Sequence, residues 1–427
     1  MNNKKNILIL GGYGYGNTGD EAQLNETLNI IKKYFYGYNI IVLTPNLEYT
    51  KNTHDCNVDY APREAFFNSQ SDPNTIYWIK NADEEEKMKQ QMKSIYFQSC
   101  IKKYLHLRIK NKKIDHLIDL LKSTSLVYYC GGGYLTGATL SRLFDGCLFI
   151  SLCKLFNVPV VLSGQTIGLF RNDFDRKISK RAFSYTKLIT LRDPVDSAKA
   201  LDEIGINNYE VMFDDALFCE KETNKDVINK LLEKAGMQNR ETYITFHMHH
   251  WGINSEEKKK VVLDKLKLII EYTQEIFENV PILLIPMTPS DYNEQKEFLE
   301  YISKRNIYLL EYDYDFKKIR SIIGNSILCI TMKHHPIIFA VGEKVPIIST
   351  SYSEYYKHKN TGALKIFGLE KYNIELESDN CIELYKNIVV DIKENYEQNK
   401  KYLEELFIVL KNKKEIFIKK VNSIVDK

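Results

Sequence analysis

At 427 residues the chain is too long for one ordinary hydrophobic core, so two domains are expected. Its 44% apolar and 27% charged residues are the proportions expected of a soluble globular protein. Near balance between 59 basic and 56 acidic residues, net +3, gives no reason to expect nucleic acid as a partner.

The first strand is expected over 6–10, directly after Met1-Asn2-Asn3-Lys4-Lys5, which leaves no room for a signal peptide. A glycine-rich turn follows, Gly12-Tyr13-Gly14-Tyr15-Gly16-Asn17-Thr18-Gly19-Asp20-Glu21, and then a helical pattern through Ala22, Leu24, Leu28 and Ile31. Such a turn carries backbone N–H groups and a helix N-terminus towards an anionic ligand. Gly14, Gly16 and Gly19 satisfy the dinucleotide spacing. Asp20 and Glu21 would repel a pyrophosphate, however. The second strand, 39–43, runs into Thr44-Pro45-Asn46 without the carboxylate a ribose needs. A nicotinamide cofactor is therefore not expected.

Further short apolar runs mark strands at 126–129, 159–162, 188–191 and 209–212, with a charged helical insertion over about 83–121. After a Lys/Glu-rich linker helix (221–240, apolar at Val227, Leu231 and Leu232) a second alternation begins: 243–247, 282–285, 307–310, 328–331 and 345–348. From 381 to 427 the pattern is helical. Strands alternating with helices imply parallel sheets. The expected fold class is α/β, two Rossmann-like domains (1–220 and 241–380) in a glycosyltransferase-B-like arrangement with C-terminal helices and the active site in the cleft.

Eight cysteines are scattered without a C-x-x-C pair, which favours reduced thiols and argues against structural zinc. No apolar run approaches the ~18 residues of a membrane span, and a cytoplasmic location is expected. The C-terminal lysines from Lys411 to Lys420 alternate with Ile416, Phe417 and Val421. They would form a solvated basic face on a docking helix or touch an anionic membrane peripherally.

Ligands of parallel sheets bind beyond the carboxyl ends of the strands. There the sequence places Gly131-Gly132-Gly133, Ser163-Gly164-Gln165-Thr166, Arg192-Asp193 and Asp214-Asp215. The guanidinium of Arg192 suits a carboxylate or phosphate, its alternative being a salt bridge to Asp193. In the second half Met332-Lys333-His334-His335 opens an apolar helix, where a cation and a histidine can hold an anion and move a proton. His247, His249 and His250 form an H-x-H-H cluster; substrate contact or packing is expected there rather than metal, as no further ligand is evident nearby.

In this order the motifs resemble those of the polysaccharide pyruvyltransferase family. The likeness runs from about residue 6 to 370 and includes Gly12–Glu21, Gly131-Gly132-Gly133, Gly164-Gln165-Thr166-Ile167-Gly168, Arg192-Asp193, Met332-Lys333-His334-His335, Gly342 to Pro346 and Lys359-Asn360-Thr361-Gly362. Departures are Lys333 for the usual arginine and Leu169 and Asp215 for prolines. The resemblance implies transfer of the enolpyruvyl unit of phosphoenolpyruvate to two hydroxyls of a sugar, giving a pyruvate ketal and phosphate. It implies a sugar or oligosaccharide acceptor that is lipid-linked in some settings, and no metal or organic cofactor. Arg192 and Lys333 would clamp the anion, His335 would act as acid/base or phosphate ligand, and Asp20 would face the acceptor. Gly16, Asn17, Gly131, Gly132, Gly133, Gln165 and Lys359 would complete the substrate contacts. Two alternatives remain: a glycosyltransferase using a nucleotide sugar, with Glu343 the candidate for its ribose, and a non-catalytic member of a polysaccharide assembly. Oligomeric state is not legible.

Overall fold

A computed structural model of the chain describes residues 6–67, 79, 81–237, 242–250, 253, 255–303, 305–313 and 315–425. The end of the expected linker and residue 241 lie outside them. Two compact units emerge, one comprising residues 1–15, 23–215 and 414–427, the other 16–22 and 216–413.

The first unit is built on β1 (Asn6–Leu10), α1 (Thr18–Tyr34), β2 (Asn39–Thr44), α2 (Leu47–Thr53), β3 (Asn57–Tyr60), α3 (Pro62–Phe67), α4 (Ala82–Leu105), α5 (Lys112–Lys122), β4 (Thr124–Tyr129), β5 (Gly132–Thr136), α6 (Leu140–Phe156), β6 (Val160–Gly168), α7 (Asp173–Phe183), β7 (Leu188–Leu191), α8 (Asp196–Glu203) and β8 (Tyr209–Val211). Its sheet is parallel in the order β3-β2-β1-β4-β6-β7-β8, with β5 also paired to β6. All five residues of β1 are buried, as expected of a strand covered by helices on both faces. At the amino edge, side-chain amides form a ladder: Asn57 donates to Asn39 (3.1 Å) and Asn39 to Asn6 (3.0 Å). Helix α5 buries Ile114, Leu117, Ile118 and Leu121, a single apolar stripe. Lys102 of α4 reaches Asp115 at 2.7 Å and Asp119 at 2.9 Å on α5, pinning the two helices together.

The second unit holds α9 (Lys225–Lys234), β9 (Ile244–His247), α10 (Glu256–Ile276), β10 (Ile282–Leu284), α11 (Pro289–Ile302), β11 (Ile307–Leu309), α12 (Phe316–Gly324), β12 (Leu328–Thr331), α13 (His334–Glu343), β13 (Ile347–Ser351), α14 (Ser353–Ile366), β14 (Asn373–Glu375), α15 (Cys381–Glu394) and most of α16 (Tyr396–Val425). Its parallel sheet runs β11-β10-β9-β12-β13-β14. Both sheets therefore reverse strand order beside their first strand, between β1 and β4 and between β9 and β12, the positions where doubly wound sheets open a crevice for ligands.

Candidate functional site

At the carboxyl edge of the second sheet, β12 ends and Lys333 caps α13. The Lys333 ammonium lies 2.6 and 2.7 Å from the two oxygens of Asp291, a buried residue in the first turn of α11. Asp291 also accepts the backbone N–H groups of Met287 and Thr288, each at 3.0 Å, and lies 3.2 Å from Nε2 of His247 at the end of β9. Burial alone would raise this carboxyl; Lys333 and His247 hold it well below the usual carboxylate range. The expected anion clamp is thus already neutralised by a carboxylate, a partner the sequence reading did not name. A legible signal existed in Thr288-Pro289-Ser290-Asp291, which forms a capping box on α11. Burial lowers His247 and lowers His249 further, where Lys333 adds to the effect, so both rings stay neutral near pH 7. His249 is buried against Tyr356, ring centroids 4.5 Å apart, as a packed residue.

His335 turns towards the first turn of α1, which belongs to the same unit. A Cβ on Gly19 would sit 2.0 Å from the imidazole, so only glycine admits the ring there. The third glycine of the dinucleotide-like spacing therefore makes room for a histidine. Nε2 of His335 is 3.9 Å from Oδ1 of Asp20. Asn17 folds back on the helix start, its Oδ1 accepting Gly19 N–H at 3.0 Å, and the Gly16 carbonyl accepts the Tyr312 hydroxyl. Thr18 Oγ1 donates to the Met287 carbonyl at 3.1 Å. His334 packs edge-on to His335 at 5.3 Å between centroids. Lys359 lies on α14, half-buried, with its ammonium 5.6 Å from the Tyr355 ring.

In the first unit Arg192 is among the most buried side chains, 2% exposed. Its ion pair is with Asp214, not Asp193. Asp193 instead holds the start of α8, accepting Val195 N–H at 3.0 Å and Ser197 N–H and Oγ–H at 2.9 Å. Nε of Arg192 donates to Thr166 Oγ1 at 3.0 Å, and Nη2 would lie 3.3 Å from a Cβ on Gly133. The guanidinium is thereby fixed on two sides and points its remaining nitrogen at a glycine.

Gly131 donates its N–H to Asp215 Oδ2 at 2.8 Å, so one expected backbone donor is already engaged. Gly132 and Gly133 lie in β5 rather than in a turn, and Gln165 lies in β6, which continues to Gly168. Fully buried, Gln165 donates to the carbonyls of Cys130 (2.6 Å) and Ser163 (2.8 Å). Its observed contacts brace the sheet edge. Leu169 adopts φ +51°, a conformation closed to proline. Asp215 also accepts the Ser163 hydroxyl at 2.7 Å, and burial pushes its carboxyl up to about 7.

Two parallel sheets, each reversing its strand order beside its first strand, give the chain the glycosyltransferase-B fold class. HepE of Anabaena, crystallised with UDP and glucose, is similar over 96% of this chain and 95% of its own at 12% identity, TM-score 0.53. The UDP-GlcNAc 2-epimerase of Neisseria meningitidis bound to UDP-GlcNAc covers 98% and 99% at 11% identity, TM-score 0.53. MnaA of S. aureus with UDP covers 94% and 91% at 12% identity, TM-score 0.55. At these identities the likeness is one of fold. No curated protein sequence matches the chain. The family model of polysaccharide pyruvyl transferases matches residues 17–354, and the chain belongs to that family.

Proposed function

We propose that the protein transfers the enolpyruvyl unit of phosphoenolpyruvate to two hydroxyls of a sugar in a cell-surface polysaccharide or its precursor, closing a pyruvate ketal and releasing phosphate. The observation that carries this reading is the His335 ring seated against Gly19 and 3.9 Å from Asp20, where α13 and α1 begin. Two helix N-termini favour a phosphate, and a histidine beside a carboxylate can carry a proton.

The reaction begins with a proton delivered to the methylene carbon, which leaves C2 with oxocarbenium character. A first sugar hydroxyl adds to C2 and loses its proton. The C2–O bond to phosphate then breaks, and the second hydroxyl closes the ring on C2. Overall, one donor and one diol give ketal and inorganic phosphate. His335 would supply or accept the protons, with Asp20 holding the imidazolium. Arg192 would present Nη2 to the donor's negative charge, and Lys333 would act through a charge shared with Asp291. Because each cation already holds a carboxylate, the donor would be bound by oriented N–H groups more than by net charge.

The fold neighbours that bind UDP favour a nucleotide-sugar reading, but Glu343 speaks against it. Its carboxylate is taken by Arg320 (2.7 Å) and Lys221 (2.6 Å). The deciding experiment incubates the full chain with phosphoenolpyruvate and candidate sugars. Phosphate should appear together with a product heavier than the acceptor by pyruvate less water. Turnover of UDP-sugars without phosphoenolpyruvate consumption would overturn the proposal. His335→Ala should abolish turnover with the fold intact, whereas His249→Ala should retain it.

A further inference from the structure

The helical insertion formed by α4 and α5 differs in charge from the rest of the chain. Between Glu86 and Asp115 it carries nine Lys or Arg and no Asp or Glu, whereas the whole sequence sets 59 basic against 56 acidic residues. The turn joining the two helices is held in place. Helix α4 stops at Leu105, His106 takes a left-handed φ of +56°, and Asn111 caps α5 by accepting the N–H groups of Lys113 and Ile114 at 3.0 and 3.3 Å. Asp115 Oδ1 accepts the N–H of the buried Ile109 at 3.0 Å, and Lys102 donates to the same oxygen at 2.7 Å.

What this anchored turn holds outward is apolar. Tyr104, Leu105 and Leu107 are 66%, 63% and 57% exposed. Phe97, also exposed, precedes Tyr104 and Leu105 by seven and eight residues and so shares their face of α4. Single exposed apolar side chains are ordinary, but four gathered at one helix end call for a partner. Arg108, Lys110, Lys112 and Lys113 are exposed beside them. Among the described residues none of these four forms an ion pair within salt-bridge distance, and Lys113 lies 5.6 Å from the centre of the half-exposed Tyr60 ring. The carboxylates of α5, Asp115 and Asp119, are taken up by Lys102 and Lys122. Lys112 and Lys113 open α5, the end where the helix dipole disfavours cations, so helix stability does not account for them.

Nucleic acid would satisfy the cations and leave the leucines in water; an apolar protein surface would do the reverse. A bilayer with anionic headgroups takes both. We propose that the α4–α5 turn docks the protein on an anionic phospholipid bilayer. Tyr104, Leu105 and Leu107 enter the headgroup boundary, and the four basic side chains contact lipid phosphates. This docking needs neither the donor nor an acceptor sugar.

Co-sedimentation of the full chain with vesicles tests it. Vesicles of phosphatidylcholine with phosphatidylglycerol should hold the chain at least about tenfold more tightly than phosphatidylcholine alone, and raised salt should weaken the binding. Leu105→Ser combined with Leu107→Ser should weaken it by about tenfold or more. Lys110→Gln and Lys112→Gln should cost about fivefold each. Melting curves should not change, because these side chains lie in solvent. Lys411→Gln combined with Lys419→Gln, both exposed on α16, should leave the binding as it was. No binding of the unaltered chain to anionic vesicles, or equal binding to both kinds, overturns the proposal whether or not the variants fold. Undiminished binding by the leucine variant would reduce the turn to a general polyanion contact and overturns it too. Loss of binding in the α16 variant would move the contact to the C-terminal helix, with the same consequence.

Discussion

Gly19 and Asp215 are two residues whose chemistry their surroundings constrain sharply. With the His335 ring 2.0 Å from where a Cβ would sit, Gly19→Ala must displace the imidazole or the first turn of α1. We expect pyruvyl transfer to fall by roughly a hundredfold or more, since misplacement of a catalytic group by an ångström costs that much. The change in melting temperature should be modest; near-normal kcat in the alanine variant would remove His335 from the mechanism. Asp215 makes a pH prediction. Its folded acid is raised to about 7, against about 3.9 for an unfolded aspartate. Both states hold the proton below about pH 4. Between there and about 7 the unfolded chain loses its proton first, so this residue's stabilising contribution declines as pH rises. Asp215→Asn can still accept from Gly131 and offer its amide to Ser163. The variant's advantage in unfolding free energy should therefore grow from about pH 4 to about pH 7, at about 1.4 kcal/mol per pH unit, and level off above that. A pH-independent difference would mean that the Asp215 carboxyl titrates normally.

Among the elements, the central strands were legible, because β1, β4, β7, β9 and β12 carry short apolar or β-branched runs. The strands β3, β5 and β14 were not. β3 is Asn-Val-Asp-Tyr at a sheet edge, half in solvent, and β14 is a three-residue edge strand. β5 starts inside the glycine triplet, which reads locally as a turn and becomes a strand only because β6 is there to pair with it. The same limit applies to the site. Motifs at strand ends reveal which residues gather at each sheet edge, but the partner of a charge comes from another element far along the chain. Arg192 meets Asp214 rather than its neighbour, and Lys333 meets Asp291 from α11. Asp193, freed from Arg192, holds α8 through three backbone N–H groups and a hydroxyl. Asp193→Ala should accordingly lower stability by about 1–2 kcal/mol, measured by urea unfolding, as loss of a well-formed helix cap does. Asp193→Asn should recover part of that. An alanine variant as stable as the original would show that the α8 start needs no side-chain acceptor.

For the whole molecule, the decisive feature is that the chain leaves the first unit after Asp215 and returns to it at Lys414. The returning segment of α16 buries Phe417, Ile418 and Val421, at 5%, 2% and 1% exposure. Two of its lysines are engaged as well: Lys414 pairs with Glu26 of α1, and Lys420 lies 2.5 Å from Glu210 of β8. The basic stretch therefore contributes to the packing of the first unit, and a membrane role would have to come from its remaining exposed residues. Among the described residues no helix is long and apolar enough to cross a membrane. A chain ending at Lys413 loses three buried apolar side chains, at roughly 1.5–3 kcal/mol each, and removes the Lys414 ammonium from Glu26. The expected loss, on the order of 5 kcal/mol or more, is comparable to the entire stability of many domains. Thermal unfolding of the shortened chain should show the first unit melting well below its position in the full chain. The separate core of the second unit, around Ile244, Phe246, Leu328 and Ile330, should retain its own transition. If instead the truncation leaves the melting profile unchanged, the C-terminal helix is an appendage, and the first unit is complete without the segment that returns to it.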